Sequence, residues 1–254
     1  MFFFNNAKMG IRYLMEVYKL KRKDEVCIFT TTNSSFVSSC VTSTIFNYCK
    51  VSRVITKNTK MLYVIHEFGF PYKKIESIVK IGKQKGIPIV EDVAHSLDSF
   101  YNNKRLGLFG DYALYSFPKI LPVEKGGLLI GDNLSEKNIW FDLDVNEEIE
   151  NYISKFFPYI ESFSQKRREN YYYFRNIFKK FKKIFDIDNN NINPFVFGFK
   201  TDKYQKIYDN LHRKNGVELH PCYVKDWVIL PVNQFITEEQ LEYIGNKIIS
   251  LIRR

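Results

Sequence analysis

The strongest constraint on this chain is a pair of short apolar runs flanking one amphipathic segment. MLYVIHEF (61–68) opens with a continuous apolar stretch of the kind found in central parallel strands, and IPIVED (87–92) is a second such run. Between them Pro71 ends the first element, KKIESIVKIGKQKG (73–86) has helical apolar spacing, and Gly86 occupies its C-cap. Strand, helix and strand follow one another within about thirty residues, the length that a right-handed crossover between parallel strands requires. The spacing therefore predicts an α/β fold built on a mostly parallel sheet flanked by helices.

The remaining segments extend that rhythm. GIRYLMEVYKLK (10–21) reads as a helix and DEVCIFT (24–30) as a strand. TTTNSSFVSSCVTST (30–44) reads as a loop entering a helix, with Asn33, Ser34 or Ser35 as N-cap. After the crossover come a hairpin-like element with Gly107 and Gly110, a strand DYALYSF (111–117) and a strand GGLLIGD (126–132). Residues 133–160 are acidic and read as an irregular connection. A long basic helix then leads to a polar break at Asn189–Asn193, followed by FVFGF (195–199), a helix over 202–214, VELH (217–220) and a last helix over 237–252. Thr237 with Glu239 and Gln240 is a capping signal for that last helix. Two domains are predicted: a large one over 1–160, and a smaller α/β one with the basic helix over 161–254.

Composition narrows the functional classes. With 254 residues, 45% hydrophobic and 26% charged, the chain has enough core-forming side chains to exclude general disorder. Its apolar runs fall well short of the roughly 18 residues of a membrane span, and MFFFNNAK lacks the charged-then-apolar order of a secretory signal. Cys27, Cys40, Cys49 and Cys222 form no CxxC pair, so neither a disulfide framework nor a metal site is expected, and reduced thiols in the cytoplasm are the default. The net charge is +10, and eight basic residues against the single acid Glu169 between Phe163 and Lys183 supply +7 of it. Basic side chains interleaved with Tyr171, Phe174 and Phe178 could serve a nucleic acid or attract an anionic substrate. The plainer reading has the aromatics in the core and the lysines solvated.

In open α/β sheets, ligands bind beyond the C-terminal ends of parallel strands. Asp92 ends IPIVED, His95 follows three residues later, Ser116 ends DYALYS, and Lys119 comes three residues after that. Taken singly, each also reads as an ordinary strand-end or surface residue. Together they are the set that pyridoxal phosphate needs. A lysine forms the Schiff base, an acid pairs with the protonated pyridine nitrogen, and a hydroxyl with helix N-terminal amides holds the phosphate.

Residues 64–132 contain an EDxAH run, a GxFGDYAxYSF run and a K-x-x-P-V-x-x-GG run, in one order and at characteristic spacing. On these linked motifs the segment resembles the core of the DegT/DnrJ/StrS family, sugar aminotransferases of the fold-type I pyridoxal-phosphate class. The resemblance extends to NAKMGIRYLMEVYKLKRKDEV (6–26), where the family has its phosphate turn, to FVSS (36–39), and to LPVNQFITEEQLEYI (230–244). It implies Lys119 as the Schiff-base lysine, Asp92 as partner of the pyridine nitrogen, His95 beside the cofactor's ring hydroxyl and Ser116 as a phosphate ligand. Lys8 and Met9 would add phosphate contacts through their amides. Phe36 would stack on the cofactor ring, or else is simply a core phenylalanine.

His66 would line the substrate side, or is a satisfied strand-end histidine. His220, Tyr223 and Trp227, in ELHPCYVKDW, are substrate-facing candidates of the small domain or ordinary loop packing. The implied reaction moves an amino group from an amino acid, glutamate in most relatives, to a nucleotide-linked keto sugar. It would serve surface polysaccharide or related glycan biosynthesis in a homodimer. The chain departs from the family in three places: Asn6, Ala7 and Lys8 replace its Ser-Gly-Thr, the stretch between 45 and 60 is abbreviated, and no GxNxR loop follows the second glycine strand. Related dehydratases carry histidine in place of the lysine, which Lys119 speaks against. A degenerate, non-catalytic relative and a nucleic-acid binder are the remaining alternatives.

Overall fold

A computed structural model of the chain describes residues 1–132, 134, 144–187, 191–219 and 224–253. Two compact units are present, Met1–Pro158 and Tyr159–Arg254. Among the described residues, no helix is long and apolar enough to cross a membrane.

The first unit contains, in chain order, β1 (Phe2–Phe4), α1 (Ala7–Val17), β2 (Glu25–Thr30), α2 (Ser39–Phe46), β3 (Lys50–Ser52) and β4 (Thr59–Ile65). It continues with α3 (Ile75–Lys85), β5 (Ile89–Asp92), β6 (Phe100–Tyr101), β7 (Lys104–Arg105), β8 (Tyr112–Ser116), β9 (Gly127–Gly131) and α4 (Asp144–Ser154). Seven strands form one sheet in the order β1-β9-β8-β5-β4-β2-β3. From β3 to β8 the neighbours are parallel, while β9 and β1 are antiparallel additions at one edge.

The predicted crossover is present as β4-α3-β5, with Gly86 in the left-handed conformation (φ 63°) closing α3. Successive side chains of a strand face opposite sides, and the sheet uses both. Met61 and Tyr63 pack with Ile11, Leu14 and Ile45 of α1 and α2. Leu62 and Val64 pack with Ile75 and Ile78 of α3. Helices on both faces explain why the run at 61–65 is apolar throughout rather than alternating. Cys27 and Cys49 are core residues here, with thiols pushed up to about 11, chiefly by burial.

Several local expectations are corrected. The helix after β2 begins at Ser39, with Ser38 as N-cap, rather than at residues 33–35. Asn33 adopts φ 54°, and Thr31 and Thr32 bond across to Phe70 O and Glu67, so tertiary contacts hold this stretch as a loop. MFFF contributes β1, which pairs Phe2–Phe4 with Leu129–Gly127 and buries all three phenylalanines. The hairpin turns at Asn102–Asn103, both at positive φ, rather than at Gly107 and Gly110. Residues 144–154, expected to be irregular, form α4, with Ile149 and Ile153 buried four positions apart.

The paired glycines before β9 answer a steric demand. Gly126 has φ 131°, and a Cβ on Gly127 would lie 2.5 Å from Ala7 N and 2.6 Å from Asn6 C. The start of α1 therefore rests directly on the start of β9. Both obstacles are backbone, so Gly127→Ala is expected to destabilise the protein by about 1–3 kcal/mol. Urea denaturation checks this; an unchanged midpoint would contradict the close approach.

The second unit comprises α5 (Ile160–Ile177), β10 (Val196–Lys200), α6 (Tyr204–Tyr208) continuing as a π-helical turn over Asp209–Lys214, β11 (Trp227–Pro231) and α7 (Glu238–Arg253). The basic helix ends at Ile177, so Lys179–Lys183 lie beyond it. Tyr171, Phe174 and Phe178 are buried against Phe197 and Phe199, which removes them as base-stacking surfaces. Arg167 is also buried, donating to Gln234 Oε1 at 2.7 Å, its pKa lowered to about 10 by desolvation.

β10 pairs with β11 in antiparallel register, and residues 217–219 of the expected VELH segment are not in a strand, His220 lying outside the described residues. Val217 N donates to Leu211 O instead, and Leu219 N to His212 Nδ1, folding that segment back on the π turn. At the last helix Gln240 N donates to Thr237 Oγ1 and Thr237 N to Gln240 Oε1, a reciprocal capping box.

Candidate active site

The parallel strands β2, β4, β5 and β8 end on one edge of the first sheet. Thr30 pairs with Ile65, Ile65 with Asp92, and Asp92 with Leu114. The sequence-predicted residues of this unit converge there because a parallel sheet brings all its C-terminal strand ends to the same side.

Asp92 is buried and fixed through both oxygens. Tyr63 OH donates to Oδ2 at 2.9 Å and Ala94 N to Oδ1 at 3.0 Å. Burial raises its pKa, while the Ala94 amide, the Tyr63 hydroxyl and the charge of Lys119 act in the opposite sense. A desolvated carboxylate so anchored has reason to take a cationic partner. Lys119 closes a single turn, Phe117–Lys119, immediately after β8, and is exposed. Ser116 is the last residue of β8 and pairs with Gly127, on which the start of α1 rests. The N-terminal turn of α1 and the Ser116 hydroxyl therefore share one corner of the site.

His95 stacks on Phe68, with ring centroids 5.5 Å apart and planes 2° from parallel. Phe36 lies half-buried on the loop after β2. Lys8 is exposed in the first turn of α1. The Met9 amide donates to Asn6 O at 3.1 Å and its side chain packs on the core.

His66 is placed differently from a substrate-lining residue. Its side chain is 0% exposed. Tyr72 N donates to Nδ1 at 3.0 Å, so Nε2 carries the proton and donates to Glu91 Oε2 at 3.0 Å. Both nitrogens are thereby engaged within the fold. His220 and Tyr223 lie outside the described residues, and Trp227 opens β11, edge-on to Phe185.

Sequence reading overlooked Tyr63, Glu91, Glu67 and Arg53. Tyr63 was recoverable in principle, because it shares a sheet face with Ile65, the register partner of Asp92. Glu91 points to the opposite face from Asp92 and accepts from Gly107 N (2.9 Å), Phe109 N (2.6 Å) and Gly110 N (2.6 Å) as well as from His66. Burial alone would raise its pKa, but the His66 bond and the Gly110 and Gly107 amides outweigh it and hold the carboxyl below its ordinary range. Glu67 is raised by burial, against the opposing effects of Thr32, Arg53 and Thr30.

The mostly parallel seven-stranded sheet flanked by helices is the fold of the fold-type I pyridoxal-phosphate-dependent aminotransferases. Within that class the family is specific: residues 3–145 match the DegT/DnrJ/EryC1/StrS aminotransferase family, and the chain belongs to it.

Solved structures agree in fold. The aminotransferase TlmJ from Streptoalloteichus hindustanus superposes with a TM-score of 0.79 at 16% identity, covering 99% of this chain and 85% of that one. The putative sugar aminotransferase Spr1654 from Streptococcus pneumoniae, in its PLP form, gives 0.78 at 14% identity over 99% of this chain and 86% of that one. Helicobacter pylori PseC, an aminotransferase of pseudoaminic acid biosynthesis, gives 0.75 at 17% identity with coverages of 99% and 86%. Among curated sequences, the uncharacterized protein MJ1066 of Methanocaldococcus jannaschii is 26% identical over 144 residues, a stretch that is 51% of this chain and 37% of that protein.

Proposed function

We propose that this chain is a pyridoxal-phosphate-dependent aminotransferase that moves an amino group from an amino acid, glutamate foremost, to a nucleotide-linked keto sugar, acting as a homodimer in glycan biosynthesis. The observation that carries this reading is the anchored, desolvated Asp92 within electrostatic reach of Lys119 at the shared strand ends. The donor set fits the cofactor: one buried carboxylate, one accessible amine, and a hydroxyl beside a helix N-terminus. When bound, pyridoxal phosphate supplies an electron sink for the pair released as the amino acid's α-proton leaves.

Each residue has a definite task in this account. Asp92, held by Tyr63 and Ala94, sets a fixed negative charge where the pyridine nitrogen is to be kept protonated. Lys119 Nζ holds the cofactor covalently. As a free amine, Lys119 Nζ would take the proton from the donor's α-carbon, hold it as the ammonium and give it to the carbon that receives the amino group. Ser116 and the start of α1, with the Lys8 ammonium, bind the phosphate. His95, stacked on Phe68, would hold the cofactor's ring hydroxyl.

The purified chain, incubated with pyridoxal phosphate and gel-filtered, should retain a visible absorbance band. L-glutamate should bleach that band, and the right keto sugar from a nucleotide-linked panel should restore it. Failure to take up the cofactor would instead favour a degenerate relative. Asp92→Asn is expected to slow α-proton exchange from glutamate about ten- to a hundredfold, equivalent to losing a charged hydrogen bond of about 1.5–3 kcal/mol. Cofactor affinity should fall less. Deuterium washout from labelled glutamate measures the first quantity and a fluorescence titration the second.

A further inference from the structure

The loop between β2 and α2, which bears Phe36, is gripped from both sides. From the β3 side, Arg53 Nη2 donates to Thr30 Oγ1 at 3.1 Å and to Ser34 O at 3.2 Å. From the β4 side, the Glu67 carboxylate accepts from Thr32 N at 2.5 Å, and Glu67 N donates to Thr31 Oγ1 at 3.0 Å. Thr31 Oγ1 in turn donates to Phe70 O at 2.8 Å, and Ser34 Oγ donates to Phe36 O at 3.2 Å. The polar network therefore runs from Arg53 to the backbone of Phe36.

The same network reaches a second aromatic group. Glu67 is followed by Phe68, whose φ of 55° lies in the left-handed region that a bulky residue adopts only when its surroundings impose it. Phe68 carries the parallel stack with His95, three residues from Asp92. Arg53 is brought to this edge because the link from β3 to β4 spans only residues 53–58. Its Nη1 is buried and makes no hydrogen bond among the described residues, so the guanidinium is held inside the fold rather than spread on the surface.

We propose that Arg53 and Glu67 are positioning residues that clamp the loop at 31–36, fixing Phe36 and the Phe68–His95 stack beside Asp92 and thereby setting how tightly and in which orientation the cofactor ring is held. The proposal rests on the aminotransferase reading of the site. Neither residue touches the reacting atoms; they act through Thr30, Thr32 and Ser34.

The test compares Arg53→Met, Arg53→Lys and Glu67→Gln with the parent protein. Without cofactor, amide hydrogen exchange over residues 31–38 should accelerate in Arg53→Met while the central strands β4 and β5 keep their protection. With pyridoxal phosphate, the dissociation constant should rise about tenfold, as expected from losing hydrogen bonds to a charged group. The induced circular dichroism of the bound cofactor should weaken or change sign, and Arg53→Lys should recover part of both effects. Unchanged exchange over 31–38, or an unchanged dichroism band and affinity, would overturn the clamp. A parent protein that takes up no pyridoxal phosphate would overturn the aminotransferase reading and the inference with it. A parent protein that binds the cofactor, with variants that match it in exchange, dichroism and affinity, would overturn the clamp alone. Should Arg53→Met not fold, Glu67→Gln carries the same comparison from the other side of the loop.

Discussion

Lys119→Ala should leave a folded protein that no longer holds pyridoxal phosphate covalently and transaminates at least about 10²–10⁴-fold more slowly, the contribution of a positioned acid–base group. The side chain is exposed and stands in a one-turn link after β8, so its removal opens no cavity. Thermal denaturation should accordingly be unaltered. Borohydride treatment followed by peptide mass analysis should mark Lys119 in the parent and nothing in the variant. Retained turnover or a retained covalent adduct would place the essential amine elsewhere. Added small primary amines should restore part of the rate, because they can stand in for the lost base.

The second large effect is on stability. Glu91 accepts four hydrogen bonds in a dry environment, three from the backbone of the 107–110 segment and one from His66. Glu91→Ala strands all four donors, each costing about 1–3 kcal/mol when left buried and unsatisfied, so a loss of at least about 3 kcal/mol is expected. That is a large share of the roughly 5–15 kcal/mol by which domains are stable. Urea denaturation checks the figure, and a loss under about 1 kcal/mol would contradict it.

The pH dependence follows from the lowered pKa of Glu91. A carboxyl depressed in the folded state contributes stability that is complete above its unfolded pKa of about 4.3 and is lost as pH falls through the lower folded value. The parent should therefore lose stability over that acid range, and Glu91→Ala should lose less.

Much of the fold was legible because it is encoded locally. The apolar run at 61–65, the helical spacing of 73–86 and the left-handed Gly86 are short-range patterns, and all three appear where expected. Elements that depend on a distant partner were not legible. β1 looks like a short apolar terminus until β9 lies beside it, and residues 217–219 have strand composition but are drawn away by His212 and Leu211. The loop at 31–38 has good capping residues, yet Glu67 and Arg53 bind it in another conformation. In α4 the acidic surface residues hid a two-isoleucine stripe that packs beside Gly126.

Sequence by itself determined that this chain builds a crossover sheet, that an aspartate ends one strand and that a lysine follows another by three residues, because strand and helix periods are written in adjacent residues. Tertiary structure alone decided what those residues can do. It supplied Tyr63 to Asp92 across 29 positions, Glu91 to His66 across 25, and Arg53 to Thr30 across 23. Such pairings arise from strand order and register, which place distant segments within hydrogen-bond reach, and no local pattern specifies which two segments will meet.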